Sequence, residues 1–268
     1  MRPAPWRNRL AAVLVEACVD SVAGAVAAER AGAHRVELCA ALAEGGTTPS
    51  AGMVAAVRER ITIPLVVMVR PRGGDFVYDA GELEAMRRDI GVARDAGAEG
   101  VAIGVLARDG SVDAATLVTM VEAAGGGTIT FHRAFDMCRD LPGALELLAG
   151  AGVTRVLTSG AATRAAEGIA AIAGLVRRAA GRVVVMAGGG IRATDVSPLA
   201  EAGVREVHVG GTVMVPGPMT FRRETIVFGR PLPPDEFTRA VGDVERWRSV
   251  VAAAASFASK GNSGPSGA

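Results

Sequence analysis

Residues 31–36, with the sequence AGAHRV, are the first of four copies of one pattern, in which Ala-Gly is followed by Ala or Val and the sixth residue is Val. The other copies lie at residues 96–101, 151–156 and 202–207. Each copy follows an Ala-rich stretch and leads into β-branched residues. Because glycine readily takes the left-handed conformation that ends a helix, each copy predicts a helix-to-strand turn. The spacing places these turns before every second strand of an eight-fold βα array.

Eight apolar runs have the spacing that such an array requires. Their starts are 22 to 36 residues apart, enough for a strand, a loop and a helix. No Gly-x-Gly-x-x-Gly follows the first run, which disfavours a doubly wound sheet and a nicotinamide or flavin site. We therefore predict an α/β protein with a single (β/α)8 TIM barrel. The runs are residues 13–19, 35–39, 64–70, 100–106, 128–135, 155–159, 182–187 and 206–210.

The barrel accounts for most but not all of the chain. It is predicted over residues 13–251, after an N-terminal extension at 1–12. Residues 252–268 end in a stretch rich in Gly, Ser and Pro, and this composition predicts a disordered tail.

Composition excludes several classes of partner and location. The net charge is +1, so no electrostatic feature favours nucleic acid or an anionic membrane surface. No apolar stretch approaches the roughly 18 residues of a membrane span. The apolar run near the N-terminus is broken at Glu16, which argues against a signal peptide. Three cysteines, an odd number, argue against a disulfide framework. The sequence therefore predicts a cytoplasmic protein.

The chain contains a single lysine, Lys260, within the predicted tail. Schiff-base chemistry and pyridoxal phosphate both need a lysine amine in the site. The sequence therefore predicts no pyridoxal phosphate, and any enzymatic activity is expected to be lysine-independent.

Two neighbouring strands carry the same Glu-x-Cys pattern at positions expected to be equivalent. Alternation puts Glu16 and Cys18 on one face of the first strand, and Glu37 and Cys39 on one face of the second. Carboxylates facing the apolar helices would be buried without partners, so both pairs are predicted to face the barrel interior. Catalysis in such barrels takes place at the carboxyl ends of the strands.

Two facing thiolates suit a soft cation, above all Cu(I). The alternative is that Cys18 and Cys39 are buried cysteines that only pack. Zinc is disfavoured, because no Cys-x-x-Cys or close pair of histidines completes a tetrahedral set. Cys138 is either a third soft ligand or a packing residue at the start of a helix.

Polar residues at the other strand ends suggest a site for a small anion. Arg70 and Arg72 stand beside two glycines, an arrangement that binds anions, although Arg70 alternatively forms an ion pair with Glu16 or Glu37. His132 and His208 are candidate ligands or proton-transfer groups, with a structural histidine as the alternative. Hydroxyls and glycine-rich strand ends complete the set, and such ends bind phosphate in many barrels. These candidates are Thr158, Ser159, Gly189, Gly190, Gly210 and Gly211.

Several of these segments together resemble the CutC family, which is named for copper homeostasis. The resemblance implies a (β/α)8 barrel, a cytoplasmic location, a homodimer and a Cu(I) role for Cys18 and Cys39. The matching segments are residues 15–21, 35–39, 44–50, 70–76, 130–136, 157–160 and 186–190.

Three functions remain open at this point. The first is a copper homeostasis protein that binds Cu(I). The second is an isomerase or lyase for a small phosphorylated or carboxylated molecule, in which Glu16, Glu37 or His132 moves protons and Arg70 holds the anion. A variant of it places a hard divalent metal on Glu37, His132 and His208. The third is a barrel that acts through protein contacts, for which the sequence offers no specific support.

Overall fold

The computed structural model describes residues 13–223, 225–226 and 237–261, so the predicted extension 1–12 lies outside the described residues. Eight strands close into a barrel in chain order, every neighbouring pair is parallel, and the eighth strand pairs with the first. This confirms the predicted (β/α)8 barrel. The strands are β1 (Leu14–Val19), β2 (Arg35–Leu38), β3 (Leu65–Met68), β4 (Gly100–Ile103), β5 (Thr128–Phe131), β6 (Arg155–Thr158), β7 (Val184–Gly188) and β8 (Glu206–Val209).

Helices alternate with these strands and cover the outside of the barrel. The four Ala-Gly turns form as predicted, since their glycines have φ values of 88°, 83°, 85° and 94° at Gly32, Gly97, Gly152 and Gly203. The helices are α1 (Val22–Arg30), α2 (Ala51–Arg58), α3 (Ala80–Asp95), α4 (Ala114–Ala123), α5 (Leu141–Gly150), α6 (Ile169–Ala179), α7 (Val196–Glu201) and α8 (Val244–Gly261). Within the described residues, no helix is both long enough and apolar enough to cross a membrane.

The strand β5 is shorter than the apolar run predicts. It ends at Phe131, and His132 begins a 3-10 helix at Arg133–Met137. The His132 side chain caps that helix, because its Nδ1 accepts a hydrogen bond of 3.1 Å from the Ala134 N–H. His132 therefore lies just beyond the strand and not within it.

A two-stranded antiparallel sheet follows the barrel strands, and none of the apolar runs in the sequence predicted it. It consists of β9 (Thr212–Pro216) and β10 (Thr238–Gly242). Its strands lie at the same end of the barrel as the carboxyl end of β8, because β9 begins three residues after that strand.

The last helix corrects the predicted disorder of residues 252–268 for the part that is described. Helix α8 continues to Gly261, and residues 262–268 lie outside the described residues. Trp247, Val250 and Ala254 are buried in the main core, and Phe257 packs against it. An apolar face at helical spacing therefore keeps the chain helical past residue 251, which composition alone did not reveal.

Candidate functional site

The two cysteines of the Glu-x-Cys pairs meet at the carboxyl ends of their strands. Cys18 is the last but one residue of β1, Cys39 follows β2, and both are buried. Their sulfur atoms lie 3.8 Å apart. A small apolar cluster, separate from the main core, surrounds them and includes Val66, Met68 and Ala102. The mouth of the barrel therefore brings two thiols together, as expected for Cys18 and Cys39.

The two Glu-x-Cys pairs are staggered, which corrects the expectation of equivalent positions. Cys18 lies opposite Glu37, and Glu16 lies opposite Arg35. Closing a sheet into a barrel tilts the strands and shifts their register. The two thiols therefore approach each other diagonally, and the second glutamate lies beside both of them.

Glu37 is the carboxylate of this cluster. Its Oε2 accepts a hydrogen bond from Cys39 Sγ at 3.5 Å and lies 3.8 Å from His208 Nε2. Its Oε1 is buried and has no hydrogen-bond partner among the described residues. Burial raises the pKa of Glu37 to about 8, against the opposing effect of the nearby His208 imidazole.

The two thiols differ in acidity because they share one hydrogen bond. The hydrogen bond with Cys39 lowers the pKa of Cys18 to about 5, although burial acts in the other direction. The same hydrogen bond and burial raise the pKa of Cys39 well above its usual range. A single thiolate, held by its neighbouring thiol, is therefore favoured at neutral pH.

His208 joins the two glutamates. Its Nδ1 lies 2.8 Å from Glu16 Oε1, while its Nε2 faces Glu37. Burial alone would lower the pKa of His208, but the charge of Glu37 and hydrogen bonds to Cys18 and Glu16 raise it well above its usual value. Glu16 and His208 therefore form an ion pair, and His208 positions the Glu37 carboxyl.

Below this cluster the barrel interior is ionic. Arg35 forms ion pairs with Glu16 and with Glu206, the latter at 2.6 Å. Glu206 also accepts from Arg155 Nε at 2.6 Å, and Arg155 Nη1 donates to Thr130 Oγ1 at 3.1 Å. Two arginines and two glutamates therefore neutralise each other, which permits their burial.

Arg70 forms an ion pair with neither Glu16 nor Glu37, so that alternative is wrong. Its guanidinium donates instead to backbone carbonyls, from Nη1 to Glu44 and Gly46 at 2.9 and 3.0 Å, and from Nη2 to Gly74 at 2.8 Å. It thereby connects the loops that follow β2 and β3. Its Nε is buried and has no partner among the described residues.

His132 and Arg70 both lie near the ring of Phe76. The Phe76 ring is 5.2 Å from the His132 ring centre and 5.0 Å from the Arg70 guanidinium carbon. Burial lowers the pKa of His132 to about 3, and the Arg70 charge acts in the same direction. Because Nδ1 accepts from Ala134, the neutral ring carries its proton on Nε2, a buried atom without a described partner.

Arg72 points into its own loop and not toward the cluster. It pairs with Glu82 at 2.5 Å and with Asp75 at 3.2 Å, and its guanidinium stacks on Tyr78. These contacts shape the loop after β3, and the contact with an anion that is predicted for Arg72 stays a prediction.

Thr158 and Ser159 are held by Asp136. Thr158 Oγ1 donates to Asp136 Oδ1 at 2.5 Å, and Ser159 Oγ donates to Asp136 Oδ2 at 2.9 Å. Arg133 adds an ion pair of 2.8 Å to the same carboxylate. These hydroxyls therefore form a second polar group near the ends of β5 and β6, and the roles predicted for Thr158 and Ser159 in ligand binding stay predictions.

The glycine-rich ends of β7 and β8 are turns with positive φ, flanked by arginines. Gly189, Gly190 and Gly211 have φ values of 107°, 67° and 145°. The Gly190 carbonyl accepts from Arg164 at 3.4 Å, and the Gly210 carbonyl accepts from Arg246 at 3.4 Å. The roles predicted for the glycines in ligand binding stay predictions.

The remaining predicted residues separate into distinct groups. Two sets of potential metal donors occur among the described residues, one of Cys18, Glu37 and Cys39 and one of Glu16, Glu37 and His208. His132 belongs to neither, so the metal set Glu37, His132 and His208 does not come together. Cys138 is also separate, since it is buried in the main core and its Sγ donates to the Ala134 carbonyl at 3.8 Å.

Sequence reasoning missed Arg35, Arg155, Glu206 and Met68. Arg35 and Glu206 each stand two residues before a candidate site residue, Glu37 and His208, so alternation could have found them. On β6 the candidates Thr158 and Ser159 are adjacent, so alternation does not indicate Arg155. Met68 has the same signal on β3, two residues before Arg70. Asp136 stands next to the predicted site residues in sequence, but nothing in its sequence context indicates Thr158 and Ser159 as its partners.

Comparison with known proteins identifies related chains. The sequence profile of the CutC family matches residues 13–213. A protein of Salmonella schwarzengrund (strain CVM19633), named as a family protein CutC, is 46% identical over 226 residues, covering 84% of this chain and 91% of the relative.

Solved structures give the same result for the fold. The putative copper homeostasis protein CutC from Streptococcus agalactiae superposes with a TM-score of 0.70 at 33% identity, covering 73% of this chain and 97% of that one. A putative phosphonomutase from Burkholderia cenocepacia J2315 has a TM-score of 0.56 at 20% identity, covering 76% of this chain and 90% of that one. The second likeness concerns the fold alone.

Proposed function

Because the chain belongs to the CutC family, we propose that it serves copper homeostasis by binding Cu(I) through the sulfur atoms of Cys18 and Cys39. The observation that carries this proposal is the 3.8 Å separation of the two buried thiols. Metal–sulfur bonds of about 2.3 Å span that distance around one ion without moving the strands. Thiolates are the ligands that Cu(I) prefers.

The surroundings favour Cu(I) over its oxidised form. The thiols are buried among Val66, Met68 and Ala102, which exclude water from the soft ligands. One thiol is already acidic, because the hydrogen bond from Cys39 lowers the pKa of Cys18. Free thiols also suit a reducing compartment, so we place the protein in the cytoplasm.

Titration of the reduced protein with Cu(I), under argon and against a competing chelator, tests this proposal. We expect Cys18→Ser and Cys39→Ser each to weaken Cu(I) binding by roughly a hundredfold or more, since each removes one of two soft ligands. Cys138→Ser is the matched control, because this third buried thiol lies in the main core. Binding that is unchanged in both mouth variants would contradict the proposal.

A second candidate function is an isomerase or lyase acting on a small phosphorylated or carboxylated molecule. It is favoured by two buried donors without described partners, Arg70 Nε and His132 Nε2, in two residues that both lie near the Phe76 ring. Buried donors without partners are costly, so an anionic ligand would satisfy them.

Titration with inorganic phosphate and with a small dicarboxylate, followed by native mass spectrometry, tests this second candidate. Arg70→Ala should abolish capture of the anion, whereas Arg88→Ala, the same change at an exposed arginine of α3, should retain it. Retention of the anion by the Arg70→Ala variant would count against an anion site beside Arg70.

A further inference from the structure

We infer that the barrel mouth also binds a divalent cation of the Zn(II) type, through Cys18 Sγ, Cys39 Sγ and the carboxylate of Glu37. This inference rests on the proposed function, because it uses the same two sulfur atoms. It goes beyond that function by adding an oxygen ligand and a second class of metal, which the sequence analysis disfavoured for want of a familiar zinc motif.

Two of the three separations between the donors match the edges of a tetrahedron around zinc. With Zn–S bonds of about 2.3 Å and Zn–O bonds of about 2.0 Å, tetrahedral angles place two sulfurs about 3.8 Å apart, and a sulfur and an oxygen about 3.5 Å apart. The observed separations are 3.8 Å for Cys18 Sγ to Cys39 Sγ and 3.5 Å for Cys39 Sγ to Glu37 Oε2. Donor atoms of all three residues lie within 4.8 Å of one another.

Glu37 also has the bonding capacity that a metal ligand needs. Its buried Oε1 has no hydrogen-bond partner in the part of the chain that the structure describes. The other two carboxylates inside the barrel are satisfied, because arginines form ion pairs with both Glu16 and Glu206. Glu37 is therefore the carboxylate of the interior whose bonding a cation would complete.

The charge of the donor set distinguishes the two metals. Two thiolates alone satisfy monovalent Cu(I), whereas a third anionic ligand suits a divalent ion of borderline softness. His208 Nε2 lies 3.8 Å from Glu37 Oε2, and its Nδ1 hydrogen-bonds Glu16. His208 therefore helps to orient the Glu37 carboxylate without being a ligand itself. Three protein ligands leave the fourth position of a tetrahedral zinc open, as in sites where water or substrate occupies it.

The experiment uses the reduced, metal-free full chain and three metals measured separately. Zn(II) and Cu(I) are titrated against competing chelators, and Co(II) serves as a spectroscopic substitute for Zn(II). Wild-type protein should bind one Zn(II), and its Co(II) form should show sulfur-to-metal charge-transfer bands together with tetrahedral ligand-field bands.

Glu37→Gln separates the two metals. It should lower the affinity for Zn(II) by about tenfold to a hundredfold, and it should change the affinity for Cu(I) by less than about threefold. Glu44→Gln, the same change at an exposed residue of the loop after β2, should leave both affinities unchanged. Cys18→Ser should weaken the binding of both metals.

The outcomes distinguish this inference from the proposed function. If wild-type protein binds Cu(I) but gives no thiolate band with Co(II), the inference is overturned and the copper function stands. Zn(II) affinity that survives Glu37→Gln also overturns it. If Zn(II) binds in a manner that depends on Glu37 while Cu(I) does not bind, the inference stands and the copper function fails. Absence of thiolate bands from the wild-type Co(II) spectrum overturns the inference even if a variant does not fold.

Discussion

Glu16 and Glu37 are both fully buried inside the barrel, yet their pKa values move in opposite directions. Burial raises the pKa of each carboxyl, but the charge of Arg35 and the hydrogen bond from His208 hold the pKa of Glu16 well below its usual range. Glu37 faces no arginine among its described ion pairs, so burial prevails there. For these two residues, the neighbouring charges and not the depth of burial determine the direction of the pKa shift.

His132 makes the pH dependence of stability testable at one residue. Its folded-state pKa of about 3 lies below the unfolded value near 6.5, so the unfolded chain binds a proton first as the pH falls. The stability that neutral His132 contributes is present above about pH 6.5 and is lost as the pH falls toward 3, at up to about 1.4 kcal/mol per pH unit.

Urea denaturation at pH 7 and pH 5 measures this effect. His132→Asn keeps an oxygen to accept from the Ala134 N–H but removes the titrating ring. We expect the loss of unfolding free energy between pH 7 and pH 5 to be smaller in the variant than in the wild type. Equal losses in the two proteins would show that His132 does not titrate as the structure indicates.

Alternation along strands predicted the inward side chains of the site, but it did not predict their partners. Glu16, Cys18, Glu37 and Cys39 were placed correctly because the period of a strand is two residues. One of the two partners of Arg35, Glu206, could not be found in this way, because it lies 171 positions further along the chain. Such pairs depend on closure of the barrel and on its register, which local sequence patterns do not encode.

Helix α8 shows the same limit at the scale of an element. Its apolar residues Trp247, Val250 and Ala254 have helical spacing, and Trp247 Nε1 donates to the Val209 carbonyl of β8 at 3.2 Å. The helix therefore belongs to the barrel wall. The run of alanines and the Gly/Ser-rich end that follows gave a composition typical of disorder, so the predicted boundary fell ten residues before the helix ends.

Two adjacent alanines of α8 provide a matched test. Ala254 is buried and Ala255 is exposed. Ala254→Asp places an unpaired charge in the core and should lower the free energy of unfolding by about 3 kcal/mol or more. Ala255→Asp makes the same change in solvent and should cost only about 0.5 kcal/mol through helix propensity. Thermal denaturation measures both, and equal small effects would favour a disordered segment after residue 251.

At the scale of the whole molecule, one ionic network connects strands on opposite sides of the barrel. Glu16 of β1 and Glu206 of β8 pair with Arg35 of β2, and Glu206 also pairs with Arg155 of β6. Arg155 extends the network to Thr130 of β5. The network also reaches the potential metal donors Cys18, Glu37 and Cys39. Glu16 contacts His208, and His208 in turn faces Glu37. The network therefore holds in place the side chains below the candidate site.

Removing one member of this network should destabilise the whole barrel. Glu206→Gln leaves Arg35 and Arg155 buried without their shared carboxylate, and loss of one partner from a buried ionic group typically costs about 3–5 kcal/mol. Glu146→Gln is the matched control, since Glu146 also pairs with two arginines, Arg178 and Arg182, but at the surface, where solvent screens the charges.

Each glutamine variant loses one carboxylate charge between two guanidiniums. Chemical denaturation of the two variants therefore compares the cost of that loss in the interior with its cost at the surface. We expect a large fall in the unfolding midpoint for Glu206→Gln and almost none for Glu146→Gln. Since Arg35 also holds Glu16, and Glu16 holds His208, the Glu206 variant should in addition weaken metal binding in the protein that remains folded. If the Glu206 variant is as stable as the wild type, water or a rearranged side chain replaces the lost carboxylate. The buried ionic network would then not be needed for the stability of the barrel.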